Sequence, residues 1–330
     1  MQVMILAAGK STRLGALGTQ KPKPLVPVCG YPAIEFGLAS CAAAGLRNVV
    51  INLHHHGGQI RATLGDGRRL GVNIQYSEEV DLLGTGGGLA YARRLFAPGP
   101  LLVMNGKVVA DFELRALCDA HASAPAGTLA TMVLRPNPDP AKFPPVSIDQ
   151  VGRVVGLRGV RADVPAVGTV TDLMFSGVHI LEPALLDLLP TGESDVIAAA
   201  YQPALAAGAF VQGLVLTGYF EEHSTPTRYL AGNLALLRQP GLVAVPPGPL
   251  TGIDPGANVA ADVTIVEPVR IAAGAVIESG ATVGPEAVID ADARVAAGAR
   301  ISRSVVWSGA IARGMLEDVI VTPEGVVGAA

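Results

Sequence analysis

Leu6-Ala7-Ala8-Gly9-Lys10-Ser11-Thr12-Arg13-Leu14, continued at Pro22-Lys23-Pro24-Leu25, organises everything around it. The apolar run from Val3 to Ala8 has the character of a buried strand and delivers the chain into a turn at Gly9. Backbone N–H groups of such a turn point at open space, and Arg13 and Lys23 bring two cations to it. Turn amides with fixed cations make a phosphate cradle. Gly9-Lys10-Ser11 also matches the end of the P-loop pattern G-x-x-x-x-G-K-[ST]. That pattern needs Gly at position 4, where the chain has Met4, and leaves three residues to build the preceding strand. A plain strand-to-helix turn with a surface Arg and Lys accounts for Gly9 but not for Pro-Lys-Pro.

Outward from this turn, strand and helix signals alternate. Residues 3–8, 48–53, 73–78, 101–105 and 128–134 read as strands, and 33–44, 57–64, 88–96 and 113–121 as helices. A βαβα order of this kind predicts a mainly parallel, Rossmann-like sheet with helices on both faces. Ligands bind such sheets at the carboxyl ends of the strands, where Gly9 and Asn105-Gly106 fall. Shorter, antiparallel-type strands follow at 151–157, 172–181 and 211–220, then a helix at 226–237. Residues 239–256 are rich in Pro and Gly and mark a linker.

Past the linker a six-residue period takes over. Val259, Ile265, Ile271, Ile277, Val283, Ile289, Val295 and Ile301 recur without a miss, each with a small or β-branched residue two places earlier. Period six with β-branched residues inward predicts short strands stacked as a solenoid.

Half of the 330 residues are apolar, enough for a large core, and the net charge of -4 is no footprint for nucleic acid or an anionic membrane surface. Cys29, Cys41 and Cys118 are scattered, form no CxxC, and read as reduced thiols of a cytoplasmic protein. The apolar start is too short for a signal peptide and is read as the first strand. No stretch approaches the ~20 apolar residues of a membrane-spanning helix.

The opening pattern resembles the signature of the sugar-1-phosphate nucleotidyltransferases (NDP-sugar pyrophosphorylases), roughly Leu-Ala-Ala-Gly-x-Gly-Thr-Arg-Leu and then Pro-Lys-Pro-Leu. Ser11 stands where that family usually has its second Gly. Leu83-Gly84-Thr85-Gly86-Gly87-Gly88-Leu89 is similar to the family's Leu-Gly-Thr-x-Gly-Ala/Gly segment, which holds the nucleobase. The period-six repeat resembles the hexapeptide left-handed β-helix that often follows this catalytic domain. Of the family's branches, the mannose-1-phosphate guanylyltransferases read closest and the N-acetylmuramate-1-phosphate uridylyltransferases next. The resemblance implies a nucleotidyltransferase domain over 1–240, a linker over 241–256 and a left-handed β-helix over 257–330. It implies NTP and sugar-1-phosphate, or an NDP-sugar, as ligands, and a homo-oligomer formed through the β-helix. Arg13 and Lys23 are then the catalytic cations. Leu6, Ala8, Gly9, Ser11, Thr12, Gly84, Thr85 and Gly86 would bind the nucleotide, and Asn105 and Gly177 the sugar.

One position departs from the pattern. The family places a Mg²⁺-binding Asp in an Asn-Gly-Asp run, and here the run is Asn105-Gly106-Lys107. The partner acid falls in Gly218-Tyr219-Phe220-Glu221-Glu222-His223-Ser224-Thr225-Pro226, which puts Glu222 at the second metal position. At 4 Å and an effective dielectric near 20, Lys⁺ facing Mg²⁺ is repelled by up to roughly 8 kcal/mol. Three arrangements remain open: Lys107 points away from a metal held by Glu222 and phosphates, or Lys107 replaces the metal's charge on the α-phosphate. In the third, Lys107 pairs with Glu222, closes the metal site and leaves a nucleotide-sugar-binding protein with little turnover.

Other polar residues carry weaker signals. Of His54-His55-His56, only His54 and His56 can share a strand face, and no acid or Cys stands at ligand spacing, so no metal is expected. His179 reads as a core or surface residue, and Asp111 and Asp195 as turn or helix-start acids. A hexapeptide acyltransferase would need a His base, yet all six histidines precede the repeat.

Overall fold

A computed structural model describes residues 1–329. The chain divides into two compact units, each discontinuous in sequence. The first comprises 1–9, 40–106 and 112–218, and the second 10–39, 107–111 and 219–330.

The first unit is built on a sheet whose strands Asn73–Glu78, Asn48–Leu53, Gln2–Leu6 and Leu101–Asn105 run parallel in that spatial order. Val, Ile and Leu dominate them, as befits strands covered on both faces. Thr171–Leu181 adds antiparallel beside Leu101–Asn105, Thr128–Arg135 follows it antiparallel, and Phe210–Val215 closes that side parallel. A smaller antiparallel extension, Val146–Ile148, Val154–Leu157 and Val160–Arg161, grows from the other end of Thr171–Leu181. The sheet is thus mixed α/β with a parallel centre. Its core gathers Met4, Val50, Leu89, Val103, Met132, Leu185 and Tyr201. The parallel strands all end on one edge, which carries Ala7, His54, Glu79 and Gly106 together.

Two expectations shift in detail. The helix predicted from residue 88 begins at Gly84 and runs Gly84–Ala92. It starts early because the carbonyl of Ser194 accepts the N–H of Gly86 at 2.8 Å, satisfying a donor that a first helical turn otherwise leaves free. The strand predicted over 211–220 is two strands, Phe210–Val215 and Phe220–Glu222, lying in different units.

In the second unit the C-terminal strands stack in three parallel ladders. Asn258 pairs with Val276 and Val276 with Arg294, giving a coil of eighteen residues, three hexads. Ile271, Ile277, Val283, Ile289, Val295 and Ile301 are each at most 1% exposed and fill the interior with Ala275, Ala281, Ala287, Ala293 and Ala299. This is the β-helix of repeats that the period predicted. Among the described residues no helix is long and apolar enough to cross a membrane.

Candidate active site

The candidate residues fall into two sets, one on each unit. On the first unit the turn after Gln2–Leu6 is bare at Gly9, where an added Cβ would meet nothing within 4 Å. The Ala7 N–H donates to Asn52 Oδ1 at 2.7 Å, and Gly106 N–H donates to Leu6 O at 3.0 Å. These bonds pin the turn between its neighbouring strand ends. The glycine-rich segment packs backbone to backbone against residues 192–196. A Cβ on Gly84 would lie 2.6 Å from Ser194 O, and one on Gly87 would overlap Gly192 O. Thr85 Oγ1 accepts from Val196 N–H at 2.9 Å and reaches Asp195 Oδ2 at 3.3 Å. The Gly86 N–H and the Thr85 hydroxyl are therefore engaged within the protein.

Gly177 lies where the pairing of Thr171–Leu181 with Thr128–Arg135 slips register. Its φ of +80° suits glycine, and a Cβ there would overlap Asn105 Nδ2. The structure thus brings together Asn105 and Gly177, the two residues expected at the sugar.

On the second unit Ser11 adopts φ +59°, the left-handed region that favours glycine. This is a physical reason for the family's usual Gly at that position. Ser11 compensates by accepting the Lys23 N–H on its hydroxyl at 2.9 Å, which fixes Lys23 to the turn. Arg13 is exposed on the short 3-10 turn Thr12–Leu14, whereas Lys23 is only 9% exposed. Burial, then the charges of Arg13 and Lys107, lower the Lys23 pKa to about 8, with Glu222 opposing.

Lys107 and Glu222 form a direct ion pair, Nζ to Oε1 2.8 Å. Strand Phe220–Glu222 pairs antiparallel with Val108–Ala110, Glu222 opposite Val108, so the register itself delivers Glu222 beside Lys107. Burial pushes the Glu222 carboxyl up, but Lys107, Arg228 and Arg13 together outweigh it and the net shift is downward. Glu221, next along the strand, pairs instead with Arg228 at 2.6 Å. A divalent cation does not fit here as the side chains stand, because the Lys107 ammonium lies against Glu222, the carboxylate expected to hold it. Among the described residues no group of three or more His, Cys, Asp or Glu is gathered to hold a metal. Arg13, Lys23 and Lys107 against the one carboxylate of Glu222 leave a net positive cluster, whose charge would suit an anion.

Residues 2–219 match the family model described as Nucleotidyl transferase. The chain belongs to the nucleotidyl transferase family. Its sequence is 31% identical over 306 residues to a mannose-1-phosphate guanylyltransferase of Mycobacterium tuberculosis, covering 84% of this chain and 83% of that one. An N-acetylmuramate alpha-1-phosphate uridylyltransferase of Neisseria meningitidis is 38% identical over 193 residues, 58% of this chain and 80% of that protein. In three dimensions a putative glucose-1-phosphate thymidylyltransferase from Bacillus anthracis, crystallised with sucrose, superposes with a TM-score of 0.60 at 19% identity, covering 72% of this chain and 96% of that one.

The remaining polar residues take structural places in this nucleotidyl transferase fold. His179 is buried, hydrogen-bonded to Tyr201 Oη at 2.7 Å, and lowered by burial to about 3. Asp195 caps the N–H groups of Ile197 and Ala198, and Asp111 accepts the Ala244 N–H. His54 Nδ1 lies 3.1 Å from the Glu79 carbonyl. Sequence reasoning passed over Asn52 and Glu79, whose only signal was their place at strand ends.

Proposed function

We propose that this chain transfers a nucleotidyl group between an NTP and a sugar-1-phosphate, with protein cations in place of a carboxylate-held metal. A sugar-1-phosphate oxygen attacks the α-phosphorus in line, the bond to the β-phosphate oxygen breaks, and pyrophosphate leaves. The nucleophile is already an anion, so the protein's task is positioning and charge neutralisation. Arg13 would neutralise the departing pyrophosphate, Lys23 the α-phosphate or sugar phosphate, and the amides from Gly9 to Thr12 the triphosphate. Gly84 to Gly86 with Leu6 and Ala8 would serve the nucleoside, and Asn105 and Gly177 the sugar. The guanylyltransferase and uridylyltransferase among the relatives support this substrate class.

The observation that carries the reading is the Lys107–Glu222 pair at 2.8 Å, set among Arg13 and Lys23. The same pair favours a second reading, in which the site binds an NDP-sugar with little turnover. Pyrophosphate release from a panel of NTPs and sugar-1-phosphates separates the two, run with Mg²⁺ and with chelator on the native chain and on Lys107→Asp. Native turnover that survives chelation supports transfer without the carboxylate-held metal. Release by Lys107→Asp alone, in Mg²⁺ alone, sinks that proposal and leaves the binding protein.

A further inference from the structure

Three parallel strands, Gln2–Leu6, Asn48–Leu53 and Asn73–Glu78, end on one edge of the sheet, and two buried polar side chains link those ends. Asn52 is 2% exposed and Glu79 5%. The Ala7 N–H donates to Asn52 Oδ1 at 2.7 Å, Asn52 Nδ2 donates to Glu79 Oε1 at 2.7 Å, and the Leu83 N–H donates to Glu79 Oε2 at 3.1 Å. Glu79 is itself held by its backbone, N–H to Leu53 O at 2.8 Å and carbonyl against His54 Nδ1 at 3.1 Å. The relay runs without a gap from the turn after the first strand to the residue that opens the glycine-rich segment. Gly88 closes over it, since a Cβ there would lie 2.8 Å from Glu79 Oε1 and 2.9 Å from Asn52 Nδ2.

A buried carboxyl group bonded to two uncharged donors is an expensive way to fill a core, and apolar side chains of similar volume stabilise as well or better. What the relay supplies instead is a fixed distance between two loops. A ligand that spans both, a nucleobase at one and phosphates at the other, binds best when their separation is set beforehand. We infer that Glu79, acting with Asn52, is a positioning residue that locks the glycine-rich loop to the phosphate turn for nucleotide binding. The inference rests on the reading above that these loops hold a nucleotide.

The test is calorimetric titration of the full chain with GTP, with UTP and with inorganic pyrophosphate, alongside hydrogen exchange at the Leu83 amide. Glu79→Gln keeps one acceptor and loses the second. It should weaken the triphosphate that the native chain binds by about tenfold, the worth of one lost hydrogen bond. Pyrophosphate does not span the two loops, so its affinity should change by less than about twofold. Gly88→Ala presses on the relay from the other side and should give the same split, which keeps the test open should Glu79→Gln fold poorly. Unchanged triphosphate affinity in both variants overturns the inference, as does an equal loss for triphosphate and pyrophosphate, which would mean general loosening. If the native chain binds neither GTP nor UTP, the titration uses whichever NTP of the panel above it binds, and binding of none takes the functional reading and this role with it.

Discussion

At the scale of single residues, Lys23 is the most telling, because its burial and the charges of Arg13 and Lys107 all work against its ammonium form. With its pKa lowered to about 8 by burial, then by Arg13 and Lys107, it is charged below that pH and neutral above it. Pyrophosphate affinity should therefore hold from pH 6 to 7 and fall as pH rises through about 8. Lys23→Arg, charged throughout, should abolish that fall (titration calorimetry across the range decides). The stability linkage has the opposite direction. The unfolded chain binds a proton at Lys23 up to about pH 10.5 while the folded chain releases it near 8, so this group's contribution to stability improves as pH rises between those values. Affinity and stability moving oppositely across that window would mark Lys23 as a binding residue. Ser11 tells a related story, since a residue other than glycine at φ +59° costs about 1 kcal/mol, and its hydroxyl returns a bond to Lys23.

Elements show which parts of the molecule were open to reading. Parallel strands and hexads declare themselves through short periods, and Gln2–Leu6 or the ladder through Ile277 and Val295 could be placed from sequence alone. The pairing of Lys107 with Glu222 was one of three arrangements the sequence left open, and it is the one the side chains adopt, because opposite charges delivered by paired strands neutralise each other at 2.8 Å. The start of helix Gly84–Ala92 was hidden, since it depends on Ser194, far along the chain. The relay through Asn52 and Glu79 was hidden for another reason, as polar groups that satisfy each other leave no periodic trace. The glycine run took its sequence reading from an approaching base, yet Gly84 and Gly87 are crowded first by the backbone of residues 192–194 and Gly86 by the Ser194 hydroxyl. Gly87→Ala would overlap Gly192 O and should cost about 1–3 kcal/mol, as overpacking does. Urea denaturation of the variant measures that cost, and a stability equal to the native chain's would show the run is kept open for ligand alone.

For the molecule as a whole, the β-helix of the second unit is no appendage, because one core joins it to the segment bearing Arg13 and Lys23. Leu14, Leu17, Val26 and Val28 of that segment, Tyr229, Leu230 and Leu234 of helix Pro226–Arg238, and Val288, Val305 and Trp307 of the coils pack in a single cluster. Tyr229 is its pivot. Its hydroxyl accepts the Trp307 indole N–H at 2.9 Å and donates to Pro27 O at 2.5 Å, four residues past Lys23. Asn233, on the same helix, accepts the Cys29 N–H on its side-chain oxygen at 2.8 Å. Tyr229→Phe keeps the ring packing and strands two buried partners, so it should cost about 1–3 kcal/mol. Trp307→Ala empties the largest buried side chain and should cost about 3–5 kcal/mol. If the coils support the segment bearing Lys23, and Lys23 binds phosphate as proposed, pyrophosphate affinity should fall in Tyr229→Phe under conditions where the variant remains fully folded. A Tyr229→Phe chain that loses stability but binds pyrophosphate as the native one does would show that this core holds the coils in place without setting the position of Lys23.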